Sequence, residues 1–191
     1  MKIIGLMTLL ALCGCATMGA PFTQLNDQQL KMGVTKSSEV TDRLGKPFKE
    51  STMVRNGKTV KVLSYSVVDG KKPTVGFVPI KGQNFYFSGD LLVGHVYSNS
   101  AKESSTDFDN AKIEAIVKSK STISEVEALL GKPQGAWEYP LTKEGEHASI
   151  YHYESTRIKW TTSEEYLKSL IVSYGKDGIV TDVTYFETGE R

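Results

Sequence analysis

Apolar positions along this chain follow two rhythms, helical spacing and every-other-residue spacing, and the same succession of rhythms occurs twice. The first round opens over residues 25–32, where Leu25 and Leu30 predict a short helix that Gly33 breaks. Thr35 or Ser37 then offers an N-cap for a second helix to Leu44, with Val40 and Leu44 four apart on one face. Gly45 and Pro47 stop it, the glycine by permitting a left-handed exit. Strands are predicted over 50–55 and 59–68 around Asn56-Gly57, a strong signal for a two-residue hairpin turn. A stretch rich in Gly and Pro leads to a further hairpin, with arms near 84–88 and 92–98.

The second round repeats the order. Phe108, Ala111, Ala115 and Ile116 predict a helix over 107–118. Thr122 and Glu125 form a capping box at the start of the next helix, which Gly131 and Pro133 end. Strands follow over 136–141 and 149–160, and a final hairpin over 170–187 turns at 176–178. The repetition is also literal: SEVTDRLGKP at 38–47 returns as SEVEALLGKP at 124–133, an offset of 86. Phe87, Asp90, Val93 and Val96 match Tyr174, Asp177, Val180 and Val183 at an offset of 87. The expected fold is α+β, in two tandem units over 25–104 and 105–191. Each unit has two short helices followed by an antiparallel β-sheet of three to four strands.

The first residues stand apart. Lys2 precedes an apolar run from Ile3 to Leu12, too short to span a bilayer but the right length for the core of a signal peptide. Leu12-Cys13-Gly14-Cys15 resembles a bacterial lipobox: Cys15 has an aliphatic residue three before it and a small residue just before it. Residues 1–14 therefore read as a lipoprotein signal peptide, Cys15 as the lipidated (palmitate-bearing) residue, and 15–24 as a tether. Ala16 rather than Asp follows the cysteine, which by resemblance to enteric lipoproteins implies the outer membrane, facing the periplasm. Cys13 leaves with the signal peptide, so the mature chain has one cysteine and no disulfide, and must be held by its core alone.

Composition narrows the function classes. With 23 basic and 22 acidic residues in 191, no bulk charge favours a nucleic-acid partner. Lys71, Lys72 and Lys81 are the nearest thing to a basic patch and read as solvated loop charge. No metal site is expected: His147 and His152 lie five apart on a predicted strand and point to opposite faces. No phosphate-cradling, dinucleotide or nucleophile-elbow motif occurs, and no mature cysteine is free to act as a nucleophile. The expectation is a non-enzyme with no cofactor beyond the lipid on Cys15, and no small-molecule substrate.

The aromatics carry more. Alternation puts Trp137 and Tyr139 on one strand face and Tyr151 and Tyr153 on one face of the neighbouring strand. They are either core beneath the helices or an exposed aromatic surface suited to a protein partner.

Gly33, Thr35, Glu39, Val40, Leu44, Gly45 and Pro47 complete the pattern G-x-T-x-x-x-E-V-x-x-x-L-G-x-P. With the lipobox, this resembles the SmpA/OmlA (BamE-like) family of small outer-membrane lipoproteins, whose fold is shared with the tandem-repeat β-lactamase inhibitor proteins. The resemblance implies a membrane-anchored interaction or scaffold module with a protein partner in envelope assembly. Its inhibitor branch implies an alternative, binding of an envelope or foreign hydrolase through an aromatic sheet face.

Overall fold

The computed structural model describes residues 19–68 and 75–190. Cys15 and its flanking residues, and Lys71 and Lys72, lie outside them.

Two α-helices have the sequence logic expected. Helix α1 (Ser37–Leu44) starts after Lys36, not Thr35 or Ser37, with the Glu39 carboxylate accepting from the Lys36 N–H. Helix α2 (Ile123–Leu130) has its full capping box: the Thr122 hydroxyl accepts from Glu125 N–H at 3.3 Å and the Glu125 carboxylate accepts from Thr122 N–H at 2.8 Å. Gly45 (φ 77°, ψ −160°) and Gly131 (φ 84°, ψ −173°) end them in a region that only glycine enters without strain, rather than the expected left-handed helical one.

The two-unit fold class is corrected by the strands. Among the described residues one continuous nine-stranded antiparallel sheet dominates, curled into a half-barrel. The strands are β1 (Lys49–Arg55), β2 (Lys58–Val68), β3 (Gly76–Val78), β4 (Ile80–Ser88), β5 (Leu91–Asn99), β6 (Gly135–Glu138), β7 (His147–Ile158), β8 (Ser163–Tyr174) and β9 (Val180–Thr188). Their order is β1-β2-β4-β5-β6-β7-β8-β9, with β3 paired to the far end of β7. Only three residues of β5 (Gly94–Val96) pair with β6, and this short ladder joins the two halves.

Neither of the two leading helices forms as an α-helix, and the reason is long-range. Residues 27–29 and 32–34 are turns. The Gln83 amide, on β4, takes both the N–H and the C=O of Leu25, at 3.0 and 2.7 Å, so that backbone is satisfied by the sheet instead of by a helix. In the second half only a 3₁₀ turn forms (Asn110–Ala115), while Lys168 on β8 holds the Phe108 carbonyl and the Asn110 side chain. Phe22, placed in the tether by sequence, is core: it packs at 5.9 Å from the Tyr65 ring.

Both helices cover the same face of the sheet. Val40, Leu63, Tyr65, Phe85, Phe87 and Leu92 form one cluster there, and Val126, Tyr151, Leu170, Val172, Tyr174 and Val180 the other. The literal repeat appears as repeated hydrogen bonds. Tyr65 OH donates to Gly45 O at 2.8 Å, and Tyr151 OH to Gly131 O at 2.9 Å, so each helix stop is tied to a core tyrosine. The strand ends correspond one position away from the sequence matching. Gly33 and Thr35 bond to Leu92 as Ser119 and Ser121 bond to Val180, so Leu92, not Val93, is the counterpart of Val180.

Candidate functional site

Among the described residues no helix covers the opposite face of the sheet. Alternation places Val62, Tyr86, Gly94, Val96, Trp137, Ala148, Ile150, His152, Glu154, Ser169 and Ile171 on it. It is the inside of the curl: Ser66 on β2 and Leu167 on β8, far apart in strand order, line one cavity of about 320 Å³ with Ile80, Glu154 and Thr156.

Its apolar centre is Trp137 on Tyr86, ring to ring at 5.7 Å and 74°, above Val96, Ala148 and Ile150. Edge-to-face contact of this kind adds about 0.5–1.5 kcal/mol beyond area burial. Among the described residues the buried Trp137 indole N–H has no hydrogen-bond partner. Burial, and then the charge of Glu154, push the Tyr86 hydroxyl up to about 12, so it stays a neutral donor.

A polar cluster lies beside it. Because β6 has four residues, β5 and β7 meet directly beyond it, where Ser98 Oγ donates to Glu154 Oε1 at 2.9 Å. His152 Nε2 faces Glu154 Oε2 at 3.8 Å, and its Nδ1 lies 3.4 Å from Ser169 Oγ. The His152 imidazole, then the Ser98 hydroxyl, hold the Glu154 carboxyl below the usual range against its burial. A carboxylate with a depressed folded pKa stabilises the fold above its unfolded pKa and loses that contribution as pH falls through the folded value. Glu154→Gln is therefore expected to narrow the stability lost between neutral pH and pH below 4.5, measured by urea unfolding at the two conditions.

The structure divides the predicted aromatic set. Trp137 lies on the helix-free face. Tyr139 is in the turn after β6, which ends before Pro140, and is exposed. Tyr151 (0% exposed) and Tyr153 (6%) point the other way and are packing residues, not exposed contacts: Tyr151 lies in the core cluster of Val126, and Tyr153 packs on the Tyr166 ring at 6.1 Å. Tyr86, the partner of Trp137, was not among the predicted residues. The two residues are 51 apart in sequence and meet only through Gly94 of β5 between them. Among the described residues no group of three His, Cys, Asp or Glu is placed to hold a metal ion.

No family model matches the chain, and no curated protein does. A solved structure from Streptococcus mutans described as a "putative beta-lactamase inhibitor protein" is similar, at 12% identity and a TM-score of 0.37, over 83% of this chain and 91% of that one. A likeness this distant carries no argument about what this chain does.

Proposed function

We propose that the protein is a non-catalytic binding protein whose helix-free sheet face receives the surface of another protein, an envelope or foreign hydrolase that it blocks. The observation that carries this reading is the Trp137–Tyr86 pair at the centre of that face. It combines a half-buried aromatic anchor with a neighbouring cluster of hydroxyl, imidazole and carboxylate at Ser98, His152 and Glu154. Anchors of this type, in an apolar centre with a polar rim, dominate binding energy at protein interfaces. The inhibitor description of the distant neighbour suggests the first hydrolases to assay, β-lactamases, without adding weight.

The test is a titration of purified β-lactamases and peptidoglycan hydrolases with the full chain, reading residual activity. Trp137→Ala is expected to weaken inhibition about 30-fold or more, the effect of losing a contact worth about 2 kcal/mol. An unchanged inhibition constant in Trp137→Ala overturns the assignment of the face.

A second reading is favoured by Leu12-Cys13-Gly14-Cys15. Here the chain is an outer-membrane lipoprotein of the periplasmic side, anchored through Cys15, that serves as a scaffold in envelope assembly. Acyl chains at Cys15 contribute roughly 0.8 kcal/mol per buried CH₂, and two or more make anchoring stable. Radioactive palmitate should label wild type and not Cys15→Ala; equal labelling rejects the anchor. No inhibition of any hydrolase, together with crosslinks to assembly subunits, favours this scaffold over the inhibitor.

A further inference from the structure

The hairpin between β7 and β8 has at its tip the most exposed large apolar side chain of the described residues, Trp160, at 87%. The turn is tight, Lys159 N–H donating to Thr162 O at 2.8 Å, so the indole stands out from a rigid stem. Beside that stem runs β3, with Val75 and Phe77 also exposed and Phe77 opposite Arg157. The tip is neutral in sum, Lys159 and Arg157 against Glu164 and Glu165: Lys159 is bonded to Glu164, and Arg157 lies opposite Glu164 in the strand register.

The chain enters the structure at this same end. A Cβ on Gly19 would fall 1.6 Å from the Ser66 carbonyl oxygen, so the two backbones are in contact. Ser66 in turn lines one cavity with Ile158 and Ser163, the two residues at the root of the tip. Cys15 is four residues before Gly19, at most about 14 Å of extended chain. A lipid on Cys15 would therefore hold Gly19, which lies at the same end of the sheet as Trp160, within that distance of a bilayer. Tryptophan settles at such an interface because its ring is apolar and its N–H stays wet.

We propose that the β7–β8 tip is a membrane contact: Trp160, flanked by Phe77 and Val75, seats in the headgroup layer of the bilayer that holds the Cys15 lipid. The proposal rests on the anchored reading of Cys15. The tip and the lipid together orient the sheet, and the contact is apolar, so added salt does not release it.

The test uses the full chain, purified from membranes after palmitate labelling and reconstituted in phosphatidylcholine vesicles containing brominated lipid. Bromine quenches nearby indoles, and the protein has two, Trp137 and Trp160. The expected result is quenching in wild type and in Trp137→Phe, and its loss in Trp160→Phe, at low and high salt alike. Labelled protein with unquenched Trp160 overturns the contact and leaves the anchor standing. So does labelled protein in which Trp160→Phe impairs hydrolase inhibition without any quenching, since the tip then meets protein. Unlabelled protein overturns both.

Discussion

Gly135→Ala is expected to destabilise the protein by about 3 kcal/mol, the upper part of the overpacking range, and to lower Tm by roughly 6–12 °C. A methyl group at this position would fall 2.1 Å from the His95 carbonyl oxygen and 2.8 Å from Val96 Cα. Both obstacles are backbone, so no rotamer change relieves them. The strand they belong to, β5, meets β6 over three residue pairs only, and pushing them apart strains the ladder at the middle of the sheet, which the β3–β7 pairing supplements between the halves. Gly94→Ala is the control. Its methyl would meet Leu141 Cδ1 and Trp137 Cδ1 at 2.5 and 2.6 Å, side-chain and not backbone atoms, so the stability loss is expected to be smaller. Trp137 must move to make room, and its emission spectrum should shift. Differential scanning calorimetry with intrinsic fluorescence separates the two outcomes. A Tm for Gly135→Ala equal to wild type would show that the halves do not depend on this junction.

That junction is where the sequence pattern stops being informative. Its residues are two glycines and an alternation too short to stand out, so the pattern leaves open whether the two units share one sheet or pack side by side. What was legible is what local chemistry decides. The Thr122–Glu125 cap, the glycine stops at 45 and 131 and the hairpin at Asn56-Gly57 all appear in the structure, while the first helix is capped at Lys36 instead of Thr35 or Ser37. What was not legible is decided at a distance. Leu25 fails to begin a helix because Gln83, 58 residues away, takes its backbone groups. The match of Val93 with Val180 slips because the second hairpin's turn is one residue longer: Phe87 pairs with Leu92, five residues on, and Tyr174 with Val180, six on. The candidate site divides likewise. Trp137 was visible as an aromatic on an alternating strand. Which face it took, and that Tyr151 took the other, depended on which side α2 covers.

Lys168→Ala is expected to cost about 3–5 kcal/mol, the range for breaking a buried ion pair by removing one partner, with a fall in Tm of roughly 6–20 °C. Lys168 is 1% exposed, and its ammonium group pairs with Asp107 at 2.8 Å, donates to the Phe108 carbonyl and to Asn110 Oδ1, and lies 4.4 Å from the Phe108 ring centre. Truncation leaves a carboxylate and two oxygens facing a void, and releases the segment that Lys168 ties to β8. The repeat supplies an internal comparison. Lys81, the counterpart at an offset of 87, donates to Phe22 O at 2.9 Å with the Phe22 ring at 5.1 Å, and Phe22 precedes Phe108 by 86. Among the described residues no carboxylate lies within ion-pair distance of Lys81. Lys81→Ala should therefore lose one hydrogen bond and some cation–π attraction, about 1–2 kcal/mol. If the ion pair is the source of the difference, Lys168→Met combined with Asp107→Asn should recover part of the loss that Lys168→Met shows alone. Equal Tm values for Lys168→Ala and Lys81→Ala would instead assign the effect to the shared lysine–phenylalanine contact, with Asp107 contributing nothing measurable.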